Sequence, residues 1–585
     1  MSMKLVIVGG VAGGATAAAR ARRLDENATI VMFERGREVS FANCGLPYYI
    51  GGQIRRRSHL LVQTEAGLEE RFALDVRTRT EVTAIDRAAR QVRVRELDSG
   101  RQYTEDYDYL LLAPGAKPVI PPIPGSDHPA VFTLRNLTDS DRIKQAVDGG
   151  ASSALVVGGG FIGLEMVENL RRRGLEVALV ELLPQVMPPL DIEVAARLHR
   201  QLREQGVKLY LSDGVTALQD RQGRVLASLQ SGTALEVDLV ILAVGVRPDT
   251  ALAAEAGLEL SERGAIVVDE YLRTSDPRIY AVGDAIQTND LVLSTPTNVP
   301  LAGPANRQAR VAVDNISGRR TRYPGVLGTS VLRLFDLTVA LTGASEKTLR
   351  RRSIPFHKVY VHRGHHAAYF PGAQQMMIKL LFAPPDGRLL GAQIVGGEGV
   401  DKRIDVLATA LRAGLTVRDL QELELAYAPQ FGSAKDPINI AGYVAGNLLS
   451  GDEEFVYAEE LNGASPDEWA ILDVREPEEF AAGHIPGALH IPLGELRQRW
   501  QEIPRDRKLA VYCTVGQRAY YATRILRHRG LRPRNIAGGL TTYNLYQVES
   551  GRRCAGPLEL SAAEDAGRGG QSSYSMSMCQ PPQPG

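Results

Sequence analysis

Ala154-Leu155-Val156-Val157-Gly158-Gly159-Gly160-Phe161-Ile162-Gly163 decides the fold of this chain. Four apolar residues run into a glycine cluster of the form G-x-G-x-x-G, and the residues up to about Arg173 read as a helix. A second apolar strand at 176–180 follows and ends at Glu181. Strand, glycine turn, helix and strand make a βαβ unit. Such a turn lets backbone N–H groups at a helix N-terminus meet a pyrophosphate with no Cβ in the way. Gly158, Gly160 and Gly163 are therefore expected to hold a dinucleotide. A carboxylate at Glu181 would accept hydrogen bonds from a ribose diol and repel a 2′-phosphate, which favours NADH over NADPH. Arg171, Arg172 and Arg173 offset that preference, or simply end the helix in solvent.

The pattern occurs once before. Lys4-Leu5-Val6-Ile7-Val8 runs into Gly9, Gly10, Gly13 and Gly14, a helix rich in alanine and arginine covers 15–24, and a strand at 29–33 ends at Glu34. Val11 replaces the middle glycine, but Glu34 lies 20 residues past Gly14 (34 minus 14), the spacing at which an acid meets a ribose. Expected contacts of this copy are Gly9, Gly10, Ala12, Gly13, Gly14, Glu34 and Arg35. Beyond about residue 320, alternating stretches at 330–334 and 376–382 mark a separate α+β domain, and 449–454 reads as a linker. A further α/β pattern opens at Trp469 and ends near Cys554. The tail, 556–585, is rich in Gly, Ser, Pro and Gln and is expected to be disordered.

Composition narrows the function classes. The 585 residues hold 68 Lys plus Arg against 68 Asp plus Glu, so no net field recruits nucleic acid or an acidic membrane. Glycine, 58 of 585 or about a tenth, exceeds the usual ~7%, as turns that approach ligands closely require. Four cysteines, at 44, 513, 554 and 579, are too few and too scattered for a disulfide framework, which points to a reducing, cytoplasmic setting. No apolar run reaches the ~18–20 residues that span a bilayer, and a strand stands at 4–8, where a signal peptide would be. No metal site is expected.

Two dinucleotide folds, the first interrupted by the second, resemble the flavin-dependent pyridine nucleotide disulfide oxidoreductases, whose first fold holds FAD and second NAD(P)H. Ala113-Pro114-Gly115-Ala116 and Ala243-Val244-Gly245-Val246-Arg247-Pro248 resemble that family's crossover turns. The stretch from Thr274 through Tyr280-Ala281-Val282-Gly283-Asp284 resembles its second FAD motif, which assigns Asp284 to the flavin's ribityl chain. The resemblance covers residue 3 to about 450.

Within it, Ser40-Phe41-Ala42-Asn43-Cys44-Gly45-Leu46-Pro47-Tyr48 holds one cysteine where dithiol members carry two. A lone thiol accepts two electrons only if it starts oxidised, as a mixed disulfide, a persulfide or a sulfenic acid. The stretch resembles the single-cysteine branch, which contains coenzyme A disulfide reductases, persulfide and polysulfide reductases, and NADH oxidases and peroxidases. Pro300-Leu301-Ala302-Gly303-Pro304 points toward the coenzyme A members, with Ala302 carried over as a cofactor contact. In those members two tyrosines of a partner subunit face the cysteine. The matching motifs carry the roles to Tyr369 and Tyr427, whose phenols would hydrogen-bond a thiolate and supply a proton; otherwise both are aromatics of a dimer core. Coenzyme A brings phosphates, so the resemblance assigns its nucleotide end to Arg20 and Arg23 and its pantetheine to Ser40 and Asn43. Without the family match the two arginines are a solvated helix face.

Asp473-Val474-Arg475-Glu476-Pro477-Glu478-Glu479-Phe480, followed by Gly483-His484-Ile485-Pro486-Gly487-Ala488, resembles the rhodanese family. After a strand at 509–512, the loop Cys513-Thr514-Val515-Gly516-Gln517-Arg518 has the length to curl around one sulfur atom at a helix N-terminus, with Arg518 completing an electropositive cradle. The plain alternative is an inactive rhodanese fold used for docking. Cys554 and Cys579 have no such context.

The expected fold class is α/β. It comprises Rossmann-like FAD-binding (1–118 with 246–323) and NAD(P)H-binding (119–245) domains, an α+β dimerisation domain (324–450), a rhodanese α/β domain (455–555) and the tail. The expected function is a homodimeric enzyme using FAD, NADH or NADPH, and coenzyme A to reduce CoA persulfide, polysulfide or CoA disulfide, with Cys513 supplying sulfane sulfur to Cys44. The alternatives are an NADH oxidase or peroxidase cycling Cys44 through sulfenic acid, and a non-catalytic sulfur or redox sensor.

Overall fold

The structure is a computed structural model that describes residues 3–463 and 467–549. The expected tail, Cys554 and Cys579 lie outside the described residues. The chain divides into two compact units, Met1–Val186 with Gln205–Gly328, and Met187–Glu204 with Thr329–Gly585.

The first unit contains the two βαβ folds. One five-stranded sheet runs in the order Ile279–Ala281, Tyr109–Leu112, Lys4–Val8, Thr29–Phe33, Asp75–Arg77, and all pairings are parallel. The other runs Val131–Phe132, Leu239–Leu242, Ser153–Val157, Glu176–Glu181, Lys208–Leu211, the same arrangement except that its outer strand precedes the βαβ unit in the chain instead of following it. Parallel strands are covered on both faces, so their central residues read as unbroken apolar runs. Leu5, Val6 and Ile7, and Ala154, Leu155 and Val156, are all fully buried. The first helix is Ala12–Leu24, three residues longer at its start than the sequence reading. Gly13 and Gly14 are poor helix formers, but close packing against the neighbouring turn outweighs propensity there.

The second unit joins an antiparallel sheet to a parallel one. Ser330–Leu334, Leu337–Gly343, Leu389–Gly396, Gln375–Phe382 and His357–Gly364 form the first, packed by helices Val400–Ala413 and Pro437–Leu449. The second is ordered Phe455–Val456, Pro533–Ile536, Lys508–Tyr512, Trp469–Asp473, Leu489–His490. The stretch 449–454, read as a linker, is fixed between them. Arg524 Nη1 donates to the Asp452 carbonyl at 2.8 Å, Arg527 Nη1 to that of Gly451 at 2.6 Å, and the Asn535 N–H to that of Glu454 at 2.8 Å. Lys358 pairs with Glu459 at 2.5 Å, and the His362 Nε2 to Thr542 Oγ1 bond, 2.8 Å, is buried. Burial pushes the His362 imidazole down to about 3, so this bond is made by the neutral ring.

Helix Ile192–Glu204 falls within the range read as the NAD(P)H domain, yet it belongs to the second unit. The residues that hold it there are charged. Lys379, fully buried, meets Asp191 and Glu193 at 3.2 Å each and Glu346 at 2.6 Å. Burial opposes its charge, but the three carboxylates outweigh burial and hold its pKa above the usual lysine value. A buried charge stripped of such partners costs several kcal/mol, so this network specifies the docking of the helix. Among the described residues no helix is long and apolar enough to cross a membrane.

Candidate functional site

Both glycine turns admit only glycine at their closest points. A Cβ on Gly9 would stand 2.2 Å from the Ala113 carbonyl oxygen, and one on Gly14 1.7 Å from that of Gly9. In the second copy Gly158 would meet Ala243 O at 2.5 Å, and Gly163 would meet Gly158 O at 1.9 Å. Gly9 and Gly158 also take φ values of +99° and +104°, which side-chain-bearing residues avoid. Gly160 precedes helix Phe161–Arg172 with open space where its Cβ would be.

The two strand-end glutamates do the same work. Glu34 accepts from Gly10 N–H and Gly36 N–H, both at 2.7 Å. Glu181 accepts from Gly159 N–H at 2.7 Å and Leu183 N–H at 2.9 Å. Each carboxylate thus braces its own glycine turn, with lone pairs left for a ribose diol.

A cavity of about 920 Å³ opens beside the first turn, within the ~300–1,000 Å³ of small-molecule sites. Gly9, Ala12, Gly13, Glu34, Arg35 and Asp284 line it, as does Asn43, which the sequence assigned to the pantetheine. Gly10 and Gly14 shape the turn from behind, and Ala302 is exposed as the first residue of helix Ala302–Ile316. Arg35 is held by Asp249 at 2.6 Å, which also takes Lys117 at 2.7 Å. Arg135 lines the cavity too, although nothing in its sequence surroundings marked it. Burial raises the Asp284 carboxyl pKa and lowers that of Arg135, while each charge partly restrains the other's shift.

Cys44 stands in a single turn, Asn43–Gly45, ahead of helix Leu46–Ile50. Ser40 fixes the approach to that turn. Its φ is +47°, its N–H donates to Gly10 O at 2.8 Å, and its carbonyl accepts from Val62 N–H at 2.9 Å. The Cys44 thiol is free and reached by solvent, yet the protein packed behind it raises its pKa, and the charges of Glu165 and Asp284 raise it further. Glu165 follows the second glycine motif, so the sequence displayed it without revealing this role. Burial pushes its carboxyl up to about 7, and Tyr48 Oη donates to it at 3.4 Å. Replacing Glu165 with glutamine removes a negative charge, so the Cys44 thiolate becomes easier to form. The midpoint of Cys44 alkylation against pH in the reduced holoenzyme should fall; an unmoved midpoint would contradict the coupling.

The two arginines assigned to a nucleotide differ. Arg20 Nε and Nη2 both donate to Asp314 Oδ1, at 2.9 and 2.6 Å, whereas Arg23 is exposed. In the second unit the structure brings Tyr369 and Tyr427 together, Oη to Oη at 2.7 Å, although 58 residues separate them. The hydrogen bond raises the Tyr369 pKa. These rings are 71% and 48% exposed and share an open aromatic surface with Phe370 and Phe431, a composition typical of an interaction face.

The other cysteine among the described residues, Cys513, is buried just past the end of strand Lys508–Tyr512. Its Sγ accepts from the Gly516 N–H at 3.1 Å, a turn that requires the +97° φ of Gly516. Helix Gln517–Arg527 starts there. The Leu540 and Thr541 N–H groups bind the Cys513 and Thr514 carbonyls at 2.9 and 3.0 Å, which stiffens the loop. Asp473 and Arg475 form a buried ion pair at 2.7 Å, and Arg475 also holds the Gly483 carbonyl at 2.7 Å. Phe480 stacks between His484 and His490, with centroids 3.8 and 4.3 Å away. Arg518, expected to complete the electropositive cradle, pairs with Glu479 at 2.6 Å and also hydrogen-bonds the Cys513 side chain; despite burial, both interactions hold its pKa above the usual arginine value.

Comparison with known proteins gives matching families for each part. Residues 3–309 match the pyridine nucleotide-disulphide oxidoreductase family, 330–436 its dimerisation domain, and 457–545 the rhodanese-like domain. The coenzyme A disulfide reductase of Staphylococcus haemolyticus is 36% identical over 447 residues, 76% of this chain and 100% of that protein. The crystal structure of reduced Bacillus anthracis CoADR-RHD is 49% identical with a TM-score of 0.92, covering 94% of this chain and 99% of the other. A NAD-dependent persulfide reductase from A. fulgidus is 38% identical with a TM-score of 0.87, covering 92% and 100%.

Proposed function

This chain belongs to the pyridine nucleotide-disulphide oxidoreductases and carries a rhodanese-like domain, and from that premise we propose that it reduces CoA persulfide and polysulfide with NADH. The observation that carries the reading is a pair of free cysteines in two different settings. Cys44 is solvent-accessible beside a dinucleotide cavity, whereas Cys513 is buried in a loop where the Gly516 N–H points at its sulfur. The first suits electron transfer, the second sulfur storage. A rhodanese sulfur carrier has no task if CoA disulfide is the sole substrate, which favours persulfides. The relatives named for coenzyme A disulfide and for persulfide reduction support the same reading.

The residues present fit the cofactors of the family. The turn from Gly9 to Gly14, where a Cβ on either end glycine would strike a backbone carbonyl, with Asp284 and Arg135 also lining the cavity, would hold FAD. Gly158, Gly160, Gly163 and Glu181 would hold NADH at the second helix N-terminus. Bound flavin supplies hydride chemistry linking NADH to sulfur. The chain's own chemistry is at Cys44. Its thiolate attacks the inner sulfur of CoA–S–SH, an S–S bond forms to coenzyme A, and HS⁻ departs. The two electrons and one proton from NADH, with one further proton, then return Cys44 and coenzyme A to thiols. Ser40 and Asn43 would line the pantetheine and Arg23 would meet its phosphates. In a homodimer the partner subunit would present its tyrosine pair to Cys44, where a phenol can donate a proton to the leaving thiolate.

The test is stoichiometry. With CoA persulfide as acceptor under anaerobic conditions, one NADH should be consumed per sulfide released. Turnover with oxygen or peroxide alone, and none with CoA persulfide, would instead mark an oxidase or peroxidase working through a Cys44 sulfenic acid.

A further inference from the structure

The stretch 449–454 reaches the sulfur loop itself. Glu453 is buried, and its Oε1 accepts from Asn535 Nδ2 at 2.6 Å. The second hydrogen of that amide goes to the Gly516 carbonyl at 3.0 Å. Gly516 is the residue whose N–H points at the Cys513 sulfur. Both acceptors face one nitrogen, so turning the Asn535 amide over would set oxygen against oxygen twice. Its own Oδ1 is left buried with no hydrogen-bond partner among the described residues, a cost that the orientation of Nδ2 must offset. The gain lies in the loop. Gly516 has no Cβ to resist backbone rotation, and its φ is +97°. In a trans peptide the Gly516 carbonyl and the Gln517 N–H point opposite ways, so holding one aims the other, the first N–H of helix Gln517–Arg527. Rotation of that peptide would exchange donor for carbonyl oxygen at the loop, and an oxygen repels an anionic sulfur.

We propose that Glu453 is a positioning residue for sulfur uptake at Cys513: through Asn535 it locks the Gly516 peptide and so fixes the start of the helix at the sulfur loop. This rests on the reading of Cys513 as the sulfur acceptor. In the transfer the Cys513 thiolate attacks the outer sulfur of R–S–SH, the new bond is Sγ–S, the old S–S bond breaks, and RS⁻ leaves. The hydrogen stays on the transferred sulfur and nothing else is oxidised or reduced. The lock is tightest when Glu453 is charged, because a charge-assisted hydrogen bond is about twice as strong as a neutral one. Burial raises the Glu453 carboxyl pKa to about 7, while Asn535, Arg524 and Arg527 pull it down. Its chain neighbours are already paired, Asp452 with Arg524 and Glu454 with Arg527, each at 3.1 Å. Glu453 therefore gains its charge, and the loop its anchor, as pH rises through neutrality. Charge alone would act the other way, since a carboxylate near a thiol disfavours the thiolate.

The experiment loads the full-length holoenzyme with glutathione persulfide, without NADH, from about pH 6 to about pH 8, in wild type and in Glu453→Gln. Samples are quenched by alkylation and the extra sulfur on the Cys513 peptide is followed by mass. Ionisation of the donor is common to both proteins and cancels in the ratio of their rates. Wild type over variant should be near one at the acid end and rise to about fivefold at the alkaline end. Asn535→Leu removes the anchor at every pH, so it should slow uptake at least ~fivefold at both ends, and adding Glu453→Gln to it should change the rate by less than about twofold. Equal rates at every pH, a loss in Glu453→Gln that does not vary with pH, faster uptake in that variant, or additive effects of the two substitutions would overturn the proposal. Each variant carries its own prediction, so one that does not fold leaves the other to decide. Wild type that takes up no sulfur at Cys513 would overturn the acceptor reading and the proposal with it, a result distinct from uptake without the pH pattern.

Discussion

Replacing Cys44 with serine should lower NADH-dependent sulfide release from CoA persulfide by at least ~10³-fold, because the hydroxyl cannot form the disulfide on which the two-electron step depends. The measurement is sulfide evolved per enzyme under anaerobic conditions. Slow oxygen reduction by NADH should survive, since it needs the glycine turns and the cavity but no thiol. The contrast separates the sulfur reaction from an oxidase. If oxygen turnover falls in parallel with sulfide release, Cys44 serves an oxygen or peroxide cycle instead.

Cys513→Ser divides the molecule the other way. Sulfur uptake from polysulfide or glutathione persulfide into the chain should fall below detection, a loss of at least ~10³-fold, while NADH-dependent reduction of CoA disulfide stays within about threefold of wild type. The reason is local. Cys513 stands in the loop after a strand of the second unit's parallel sheet, whereas Cys44 and its neighbours Ser40, Asn43 and Glu165 belong to the first unit. Loss of both activities would refute the division of labour between the cysteines.

Much of this was legible from local signals. Period, β-branching and glycine spacing marked the two βαβ units, because a turn such as Gly158–Gly163 has one solution when a Cβ would strike a carbonyl at 1.9 Å. The rhodanese loop and the Tyr369–Tyr427 pair were readable as motifs. The unread features are pairings between distant residues. Arg20 answers Asp314, 294 residues away; Lys379 answers Asp191, Glu193 and Glu346; Arg524 answers Asp452. Single charges carry no sequence period, so a helix at 192–204 was assigned with its chain neighbours and 449–454 was read as a linker. Glu479 stood inside a quoted motif, but its bond to Arg518 appears only once the loop and the helix meet. The same holds for Tyr48, whose partner Glu165 lies two residues past the second glycine motif.

Everything above turns on Cys44 working as a coenzyme A-linked thiol. It is tested most directly by the mass of the purified, unreduced protein, intact and after peptide digestion. The expected result is a thiol-reversible coenzyme A adduct on the Cys44 peptide, present on isolation or formed on adding CoA disulfide, with extra sulfur on the Cys513 peptide. A Cys44 found bare or as sulfenic acid, which CoA disulfide cannot modify, would contradict it.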